Sequence, residues 1–409
     1  MRVLFVGPTG RRPEQVMAFS FLDEEIHGLA RAGVEPYVLS ASVDSPRRLE
    51  DIRVVPLGPG TWRDRVRTAR LLATHRERLP SGKRPKLSGV FHAARVEQVI
   101  SDIVRKHDID LIHSHFGPLV GFGGLLASRE TGRPLVASLR GMDVLVDPSI
   151  DYGLRLNPMY ERALFTFLRI ADRTTYNSDF LREQAVRLGA DPANAITLRK
   201  GVDLDHFQVS ADRGALRDEL GITSPMILTV AGLIRRKGVD TLIRAVARLP
   251  EGFHFTLVVC GSGPEQSALQ DLSAELKVND RVTFKGRVAR DQIPRYFSAC
   301  DVFVLASRLE AAGNVVLEAM ASGRPVVCTD SGGPPEYVRD GETGFVVPVD
   351  DPVALADRIR LLLEKEETRE ELGRQGRTIA ERDHPYSALV EGYLAVYRSV
   401  LAPRPEAVS

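Results

Sequence analysis

Short apolar runs alternate with amphipathic segments along almost the whole chain. Apolar residues recur at helical spacing between the runs, as Leu22, Ile26 and Leu29 do after Phe19. Regular alternation of strand and helix is typical of parallel sheets covered by helices on both faces. The runs that predict strands are 2–7, 35–40, 52–57, 110–114, 134–139, 173–176, 195–198, 226–231, 254–260, 281–284, 301–305, 325–328 and 344–347.

These runs are too many for one open sheet, so the pattern predicts two sheets and two domains. The break falls near 203–224, where a polar helix over 211–220 is followed by Gly221 and a new apolar run. We place the domains at 1–205 and 206–384, with a final helix in 385–409. A single eight-stranded barrel is the alternative architecture, which the surplus strands and the central break disfavour.

Composition narrows the class of protein mainly by exclusion. The 409 residues include 55 Lys and Arg against 54 Asp and Glu, and this balance disfavours a dedicated nucleic-acid binder. The three cysteines, Cys260, Cys300 and Cys328, lie beside apolar runs and predict buried thiols, not a disulfide framework or a metal site. No apolar run reaches the roughly 18 residues of a membrane span, and the N-terminus predicts a strand, so we expect a cytoplasmic protein.

The segment 61–95 is locally basic. It carries ten Lys or Arg against the acidic Asp64 and Glu77, with apolar residues between them. Such a surface suits an anionic membrane or a phosphorylated, lipid-linked acceptor. A solvated, Arg-rich helix and loop is the other interpretation, and both stay open.

The stretch from Ser307 to Met320 predicts a ligand site. It follows the strand at 301–305, and Asn314 is a suitable N-cap for the next helix. Glu310 then lies on the loop, and Glu318 lies one turn inside the helix. A loop and helix N-terminus offer N–H groups and a positive dipole end to a phosphate, and carboxylates beside them can bind sugar hydroxyls. An ordinary loop with a surface Glu is the alternative.

The spacing of Glu310 and Glu318 resembles the E-x7-E signature of bacterial retaining glycosyltransferases of family four, the glycosyl transferases group 1, which have the GT-B fold. The resemblance implies two doubly wound, Rossmann-like parallel-sheet domains facing a central cleft, with the helix in 385–409 crossing back to the N-terminal domain. Six further segments resemble motifs of that family: 200–203 (G-V-D), 231–240 (a basic loop ending in Lys-Gly), 259–264 (G-x-G-P), 282–286 (V-x-F-x-G), 331–336 (G-G-x-x-E) and 341–345 (G-x-T-G).

The resemblance implies roles in binding the sugar donor. Glu318 would bind the ribose of the nucleotide, Glu310 a hydroxyl of the transferred sugar, and Lys237 the leaving diphosphate. The family often has an Arg where Gly232 stands, so Arg235 or, better, Arg236 would supply that charge. The other residues implied on the donor side are Gly261, Gly263, Gly286, Arg287, Gly313, Asn314 and Val315.

The N-terminal domain would bind the acceptor, and it departs from the family at one position. Arg140 stands where the family has the His of a His-Gly pair, and an Arg acts by charge or hydrogen bonds because it stays protonated. Gly10, His115 and Asp143 would face the acceptor. The resemblance thus implies retaining transfer from a nucleotide diphosphate-sugar to a hydroxyl, with no metal or other cofactor, and with Glu310, Lys237, Arg236 and Arg140 as the catalytic group.

Other functions and sites remain as alternatives. A GT-B sugar-nucleotide epimerase and a non-catalytic nucleotide-sugar binder share the same architecture. Asp108-Ile109-Asp110 precedes a strand and predicts a helix-to-strand turn, not a D-x-D metal motif, and His113 and His115 lack a third metal ligand nearby. Segment 261–266 lacks the third glycine of the dinucleotide fingerprint, which disfavours a dehydrogenase.

Overall fold

The computed structural model describes residues 1–7, 20–40, 45–58, 87–116, 121–209 and 212–402. The chain divides into two compact units, the first comprising Met1–Leu198 with Val390–Ser409 and the second Arg199–Leu389. The first unit therefore ends a few residues before the position 205 that the sequence pattern predicts. The last helix begins in the second unit, and its residues from Val390 onward belong to the first.

In the described part of the first unit, eight strands form one sheet in the order β3-β4-β2-β1-β5-β6-β7-β8. All neighbours pair in parallel except β3 and β4, which are antiparallel. The central strands β1, β5 and β6 are buried almost along their whole length, and β1 and β6 are mainly apolar in sequence. The strands are β1 Arg2–Val6, β2 Glu35–Ser40, β3 Arg47–Leu49, β4 Ile52–Pro56, β5 Leu111–His115, β6 Leu135–Leu139, β7 Arg173–Tyr176 and β8 Ala195–Thr197.

Helices join these strands, as the amphipathic segments predict. Leu22, Ile26 and Leu29 of the first helix are buried, and Phe19 lies outside the described residues. Ser178 caps a later helix by accepting a hydrogen bond from the N–H of Leu181 at 3.1 Å. The helices are α1 Ser20–Arg31, α2 Leu87–His107, α3 Gly121–Thr131, α4 Pro158–Ile170 and α5 Asp179–Arg187.

In the described part of the second unit, six parallel strands form a sheet in the order β11-β10-β9-β12-β13-β14. Apolar side chains of the sheet and of the covering helices form a core on each face. The strands are β9 Met226–Val230, β10 Thr256–Cys260, β11 Val282–Gly286, β12 Val302–Leu305, β13 Val326–Thr329 and β14 Gly344–Val347. The helices are α6 Arg213–Leu220, α7 Val239–Val246, α8 Gln266–Glu275, α9 Ile293–Ala299, α10 Asn314–Ala321, α11 Pro352–Glu364 and α12 Glu366–Asp383. The last helix, α13 Tyr386–Leu401, has its first residues in this unit and the rest in the first unit.

Each predicted strand has a counterpart within a residue or two among the described residues. The two open sheets confirm a doubly wound α/β fold and show that the barrel alternative is wrong. In the second unit the strand order reverses between β9 and β12. Ligands of such sheets bind at the carboxyl ends of the strands beside this reversal, so the loops after β9 and β12 are the first place to look for a site.

Across the ranges that the structure describes, none of the helices combines the length and apolar composition needed to cross a lipid bilayer.

Candidate active site

The loops after β9 and β12 lie against each other through a glycine. Lys237 ends a 3-10 turn, Arg235–Lys237, and Gly238 follows it with a φ of +60°. A Cβ at Gly238 would lie 1.9 Å from the carbonyl oxygen of Ala306, in the loop after β12. Only glycine allows both this φ and this approach, and the turn therefore brings Lys237 next to the loop of Glu310.

The side chains of Lys237, Arg236 and Glu310 form one partly buried group, which we call the Glu310 cluster. The ammonium of Lys237 is ion-paired with Oε2 of Glu310, and Nη1 of Arg236 lies 3.3 Å from the same oxygen. The side chain of Lys237 is 17% exposed, that of Arg236 is 15% exposed and that of Glu310 is 11% exposed. Two cations thus share one carboxylate, and the cluster keeps a net positive charge that suits an anionic ligand.

Burial and charge act in opposite directions on Glu310. Burial by itself raises the pKa of this carboxyl group, but the charges of Lys237 and Arg236 outweigh burial and hold the pKa below its ordinary value. Burial lowers the pKa of Lys237, and the nearby charge of Glu310 opposes that shift. Glu310 is therefore ionised at neutral pH and can accept a hydrogen bond from a hydroxyl group.

The loop after β13 supports the backbone of Glu310. The N–H of Glu310 donates to the carbonyl of Ser331 at 2.8 Å, and the N–H of Gly333 donates to the carbonyl of Glu310 at 2.9 Å. A Cβ at Gly333 would lie 2.1 Å from the carbonyl oxygen of Ala311, so this position also requires glycine. The segments that resemble the G-G-x-x-E and E-x7-E motifs are thus packed together.

Helix α10 begins beside the Glu310 cluster. Gly313, with a φ of +80°, is its N-cap and Asn314 is its first residue, so the prediction that Asn314 caps this helix is wrong. A left-handed backbone is strained for a residue with a side chain, which is why glycine occupies the cap. Val315 and Glu318 are half-buried, and Glu318 lies one turn inside the helix as predicted.

The loops after β10 and β11 adjoin the loop after β9. A Cβ at Gly261 would lie 1.8 Å from the carbonyl oxygen of Ala231, and one at Gly263 would lie 2.3 Å from that of Leu233. The N–H of Gly261 donates to the carbonyl of Gly286 at 2.8 Å. Three of the predicted donor-side glycines, Gly261, Gly263 and Gly286, therefore lie close together at the carboxyl ends of neighbouring strands. Arg235 and Arg287 are exposed.

Arg140 has internal partners in the first unit. Its Nη1 lies 3.2 Å from Oε1 of Glu25 on α1, and its Nη2 is ion-paired with the other carboxylate oxygen. Nη2 also donates to the hydroxyl of Tyr393 at 2.9 Å. The side chains of Arg140 and Glu25 are only 5% and 3% exposed. Burial by itself lowers the pKa of Arg140, but Glu25 outweighs burial and raises it, so the guanidinium stays charged.

Histidines of β5 join the same buried group. Nδ1 of His113 lies 2.6 Å from the hydroxyl of Tyr397, and Nε2 lies 2.8 Å from Oγ of Ser138. Burial and the charge of Arg140 lower the pKa of His113 to about 3, so this ring is neutral at physiological pH. His115 is buried too, with its Nδ1 3.3 Å from Nη2 of Arg140.

The predicted acceptor-side residues are thus turned towards partners inside the first unit. Oδ1 of the buried Asp143 accepts hydrogen bonds from the N–H groups of Gly141 at 3.0 Å and Arg140 at 3.2 Å. The substrate roles of Arg140, His115 and Asp143 stay predictions, and each side chain has a structural role that the sequence did not indicate. Gly10 and most of the basic segment, residues 61–86, lie outside the described residues.

The predictions of buried cysteine thiols and of a turn at Asp108-Ile109-Asp110 are confirmed. Cys260, Cys300 and Cys328 are buried and free, and burial raises the pKa of the first two thiols to about 12. Asp108 has a φ of +48° in the turn between α2 and β5, and Asp110 accepts a hydrogen bond from the N–H of Arg2. The D-x-D segment is therefore a helix-to-strand turn.

Solved structures with the same arrangement of sheets and helices have the GT-B fold. Sucrose-phosphate synthase from Thermosynechococcus elongatus superposes with a TM-score of 0.79 at 23% identity, covering 98% of this chain and 99% of that one. Anabaena HepE, solved in complex with UDP-glucose, superposes with a TM-score of 0.72 at 23% identity, covering 98% and 100%. These similarities establish the GT-B class of fold.

The sequence comparisons establish the family. Residues 20–206 match the model of Glycosyltransferase Family 4, and residues 212–379 match that of Glycosyl transferases group 1. The D-inositol 3-phosphate glycosyltransferase of Saccharomonospora viridis is 32% identical over an alignment of 391 residues, which covers 91% of this chain and 87% of that protein. A GDP-mannose-dependent alpha-(1-6)-phosphatidylinositol monomannoside mannosyltransferase of Mycolicibacterium smegmatis is 32% identical over an alignment of 281 residues, which covers 66% of this chain and 70% of that protein. The chain belongs to the group 1 family of glycosyltransferases, which does not favour the epimerase alternative.

Proposed function

We propose that the chain transfers a sugar from a nucleotide diphosphate-sugar to a hydroxyl acceptor with retention of configuration. The Glu310 cluster is the observation that carries this proposal. It places two cations and one carboxylate beside the start of α10, at the carboxyl ends of the parallel strands. Cations suit the diphosphate, and an ionised carboxylate suits a sugar hydroxyl.

The second unit binds the donor in this proposal. Lys237 and Arg236 contact the diphosphate, and the first N–H groups of α10, at Asn314 and Val315, add donors because a helix start lacks intrahelical partners for them. Glu310 accepts a hydrogen bond from the sugar, and Glu318 accepts one from the ribose. The solved complex of Anabaena HepE with UDP-glucose, which shares the fold, supports a nucleotide sugar as donor.

In the chemical step one bond forms, one bond breaks and one proton is transferred. The acceptor oxygen bonds to the anomeric carbon as the bond from that carbon to the diphosphate oxygen breaks. The acceptor proton passes to the leaving phosphate oxygen on the same face of the sugar, so no protein base is needed. The residues of the cluster orient the donor and stabilise the negative charge that grows on the leaving group. We propose that Lys237 and Arg236 supply this stabilisation without a metal ion.

The first unit binds the acceptor in this proposal. The names of the two relatives refer to acceptors that contain inositol. One is the lipid phosphatidylinositol monomannoside, and the other is inositol 3-phosphate. Both belong among the hydroxyl compounds to be tested. A cytoplasmic location and contact of the basic segment 61–95 with an anionic membrane complete the proposal, and binding to vesicles with and without phosphatidylserine tests that contact.

Product analysis tests the proposal. The protein is incubated with labelled UDP-, GDP- and ADP-sugars, each with and without inositol phosphate or phosphatidylinositol monomannoside, in the presence and absence of EDTA. Label on the acceptor with the donor's anomeric configuration, assigned by NMR, is the expected result, and EDTA leaves the rate unchanged. A new sugar nucleotide indicates an epimerase, and binding without turnover indicates a non-catalytic binder.

A further inference from the structure

Arg308 joins the loop of Lys237 to the loop of Glu310. Its Nη1 donates to Oδ1 of Asp240 at 2.9 Å, and its Nη2 donates to Oδ2 of the same carboxylate at 2.8 Å. Two parallel hydrogen bonds between a guanidinium and a carboxylate fix both groups in one orientation. Arg308 therefore anchors the first turn of α7, directly after Lys237 and Gly238.

The same residue holds the backbone on the other side of Lys237. Nη1 of Arg308 donates to the carbonyl of Arg235 at 2.6 Å, and the N–H of Arg308 donates to the carbonyl of Arg236 at 2.7 Å. The two carbonyl groups before Lys237 and the carboxylate after it thus all bond to one residue. Since that residue lies two positions before Glu310, it sets the spacing between Lys237 and Glu310.

A third loop completes the arrangement. Nε of Arg308 donates to Oδ2 of Asp350 at 3.0 Å, and Oδ1 of Asp350 accepts from the hydroxyl of Thr241 at 2.9 Å. The loops after β9, β12 and β14 therefore converge on Arg308, whose side chain is mostly buried.

Arg217 makes similar hydrogen bonds at the amino ends of the strands of the same sheet. Its Nη1 donates to Oδ2 of Asp301 at 2.9 Å and to the carbonyl of Ala299 at 3.0 Å, and these groups precede β12. Arg217 thus stabilises the amino ends of the strands, away from the Glu310 cluster. It is a matched control for the stability that a buried arginine contributes.

We propose that Arg308 is a positioning residue for sugar transfer, which holds Lys237 where the leaving diphosphate needs it without contacting the donor. The inference rests on the proposed function. A lysine side chain is long and flexible, so the anchoring of its backbone decides where the ammonium group reaches. A displacement of about 1 Å in a reacting group costs up to roughly 100-fold in rate.

The test compares Arg308→Ala, Arg308→Lys, Asp240→Asn and the control Arg217→Ala. For each, kcat and donor KM are measured with the nucleotide sugar that the wild type uses, together with Tm and calorimetric affinity for UDP, GDP and ADP. We expect kcat to fall about 10- to 100-fold in Arg308→Ala and Asp240→Asn. Arg308→Lys, which keeps the charge but loses the paired bonds, recovers part of the rate. Arg217→Ala lowers Tm and leaves kcat unchanged.

An unchanged kcat with a lowered Tm in Arg308→Ala and Asp240→Asn would overturn the inference, because Arg308 would then be purely structural. Asp240→Asn keeps the shape of the side chain and carries the test if Arg308→Ala does not fold. If the wild type transfers sugar and Arg308→Ala is equally active, the positioning role is contradicted. The proposed function is then still supported. A wild-type protein that binds none of the three nucleotides overturns both.

Discussion

Lys237 and Glu310 form an ion pair across two loops that are 73 residues apart in sequence. The pair lies at the reversal of strand order in the second unit, where the loops after β9 and β12 meet. Arg236 shares the carboxylate, so the group has one positive charge in excess. Removing Lys237 should therefore weaken the interaction of this group with an anionic donor.

Lys237→Ala should lower kcat for transfer by about 100-fold or more, because the leaving diphosphate loses a cation that stabilises its growing charge. The measurement is acceptor-dependent release of the nucleoside diphosphate. Lys365→Ala is the control, since Lys365 is exposed between α11 and α12. Full activity of Lys237→Ala would contradict the assigned role.

Glu318→Ala should weaken donor binding by about 1.5–3 kcal/mol, the usual range for a hydrogen bond to a charged group. This corresponds to a rise in Kd of roughly one to two orders of magnitude. Calorimetry with the nucleoside diphosphate measures the change, and Glu364→Ala, at the exposed end of α11, is the matched control. Equal affinities of wild type and Glu318→Ala would remove Glu318 from the ribose site.

Asp301 should make stability depend on pH. Burial by itself raises the pKa of this carboxyl, but Arg213, the N–H of Met226 and Arg217 outweigh burial and lower it. Because the folded pKa is below the unfolded one, the stabilisation is full at neutral pH and is lost as the pH falls below about 4. We expect Asp301→Asn to reduce the free energy of unfolding by about 3–5 kcal/mol at pH 7.

The difference between Asp301→Asn and wild type should shrink as the pH is lowered from 7 to 3 in urea titrations. The exposed Asp357 provides the control, and Asp357→Asn should show no such trend. A difference that stays constant over this range would show that folding does not lower the pKa of Asp301.

Arg140 and Glu25 should be coupled in stability. Arg140→Met leaves a buried carboxylate without its cation, which costs about 3–5 kcal/mol. The double variant Arg140→Met with Glu25→Leu removes both charges and should lose much less than the sum of the single variants. Additive losses in urea unfolding would show that the two residues do not stabilise each other.

The strands could be predicted from the sequence because most consist mainly of apolar residues and are buried. The exception is β3, Arg47–Leu49, which the pattern missed since it is a short, polar strand paired with β4 alone at the sheet edge. The predicted N-cap of α10 was also wrong by one residue. Asn314 is a common N-cap residue, but the close packing of the loop against Leu305 and Pro334 places Gly313 there instead.

The candidate site could be predicted only in part. The spacing of Glu310 and Glu318 and the Lys-Gly pair identified the second-unit loops, because those motifs are local in sequence. The partners of Arg140 could not be found in this way, since Glu25 lies 115 residues away and no local pattern marks it. Asp240 lies inside the segment 231–240, which resembles a family motif, and Arg308 lies two residues before the Glu310 of the E-x7-E spacing. Their charges, so close to these motifs, were the signal available in the sequence.

Transfer of label is the most direct test of the central claim that the Glu310 cluster of a GT-B glycosyltransferase acts on a nucleotide sugar. Wild type and Glu310→Gln are incubated with the labelled nucleotide sugar and hydroxyl acceptor, and labelled product and nucleoside diphosphate are quantified together. We predict that the wild type forms both in equal amounts and that Glu310→Gln forms far less of each. Equal product from both proteins, or no acceptor-dependent product from the wild type with any of the UDP-, GDP- or ADP-sugars, would contradict the claim.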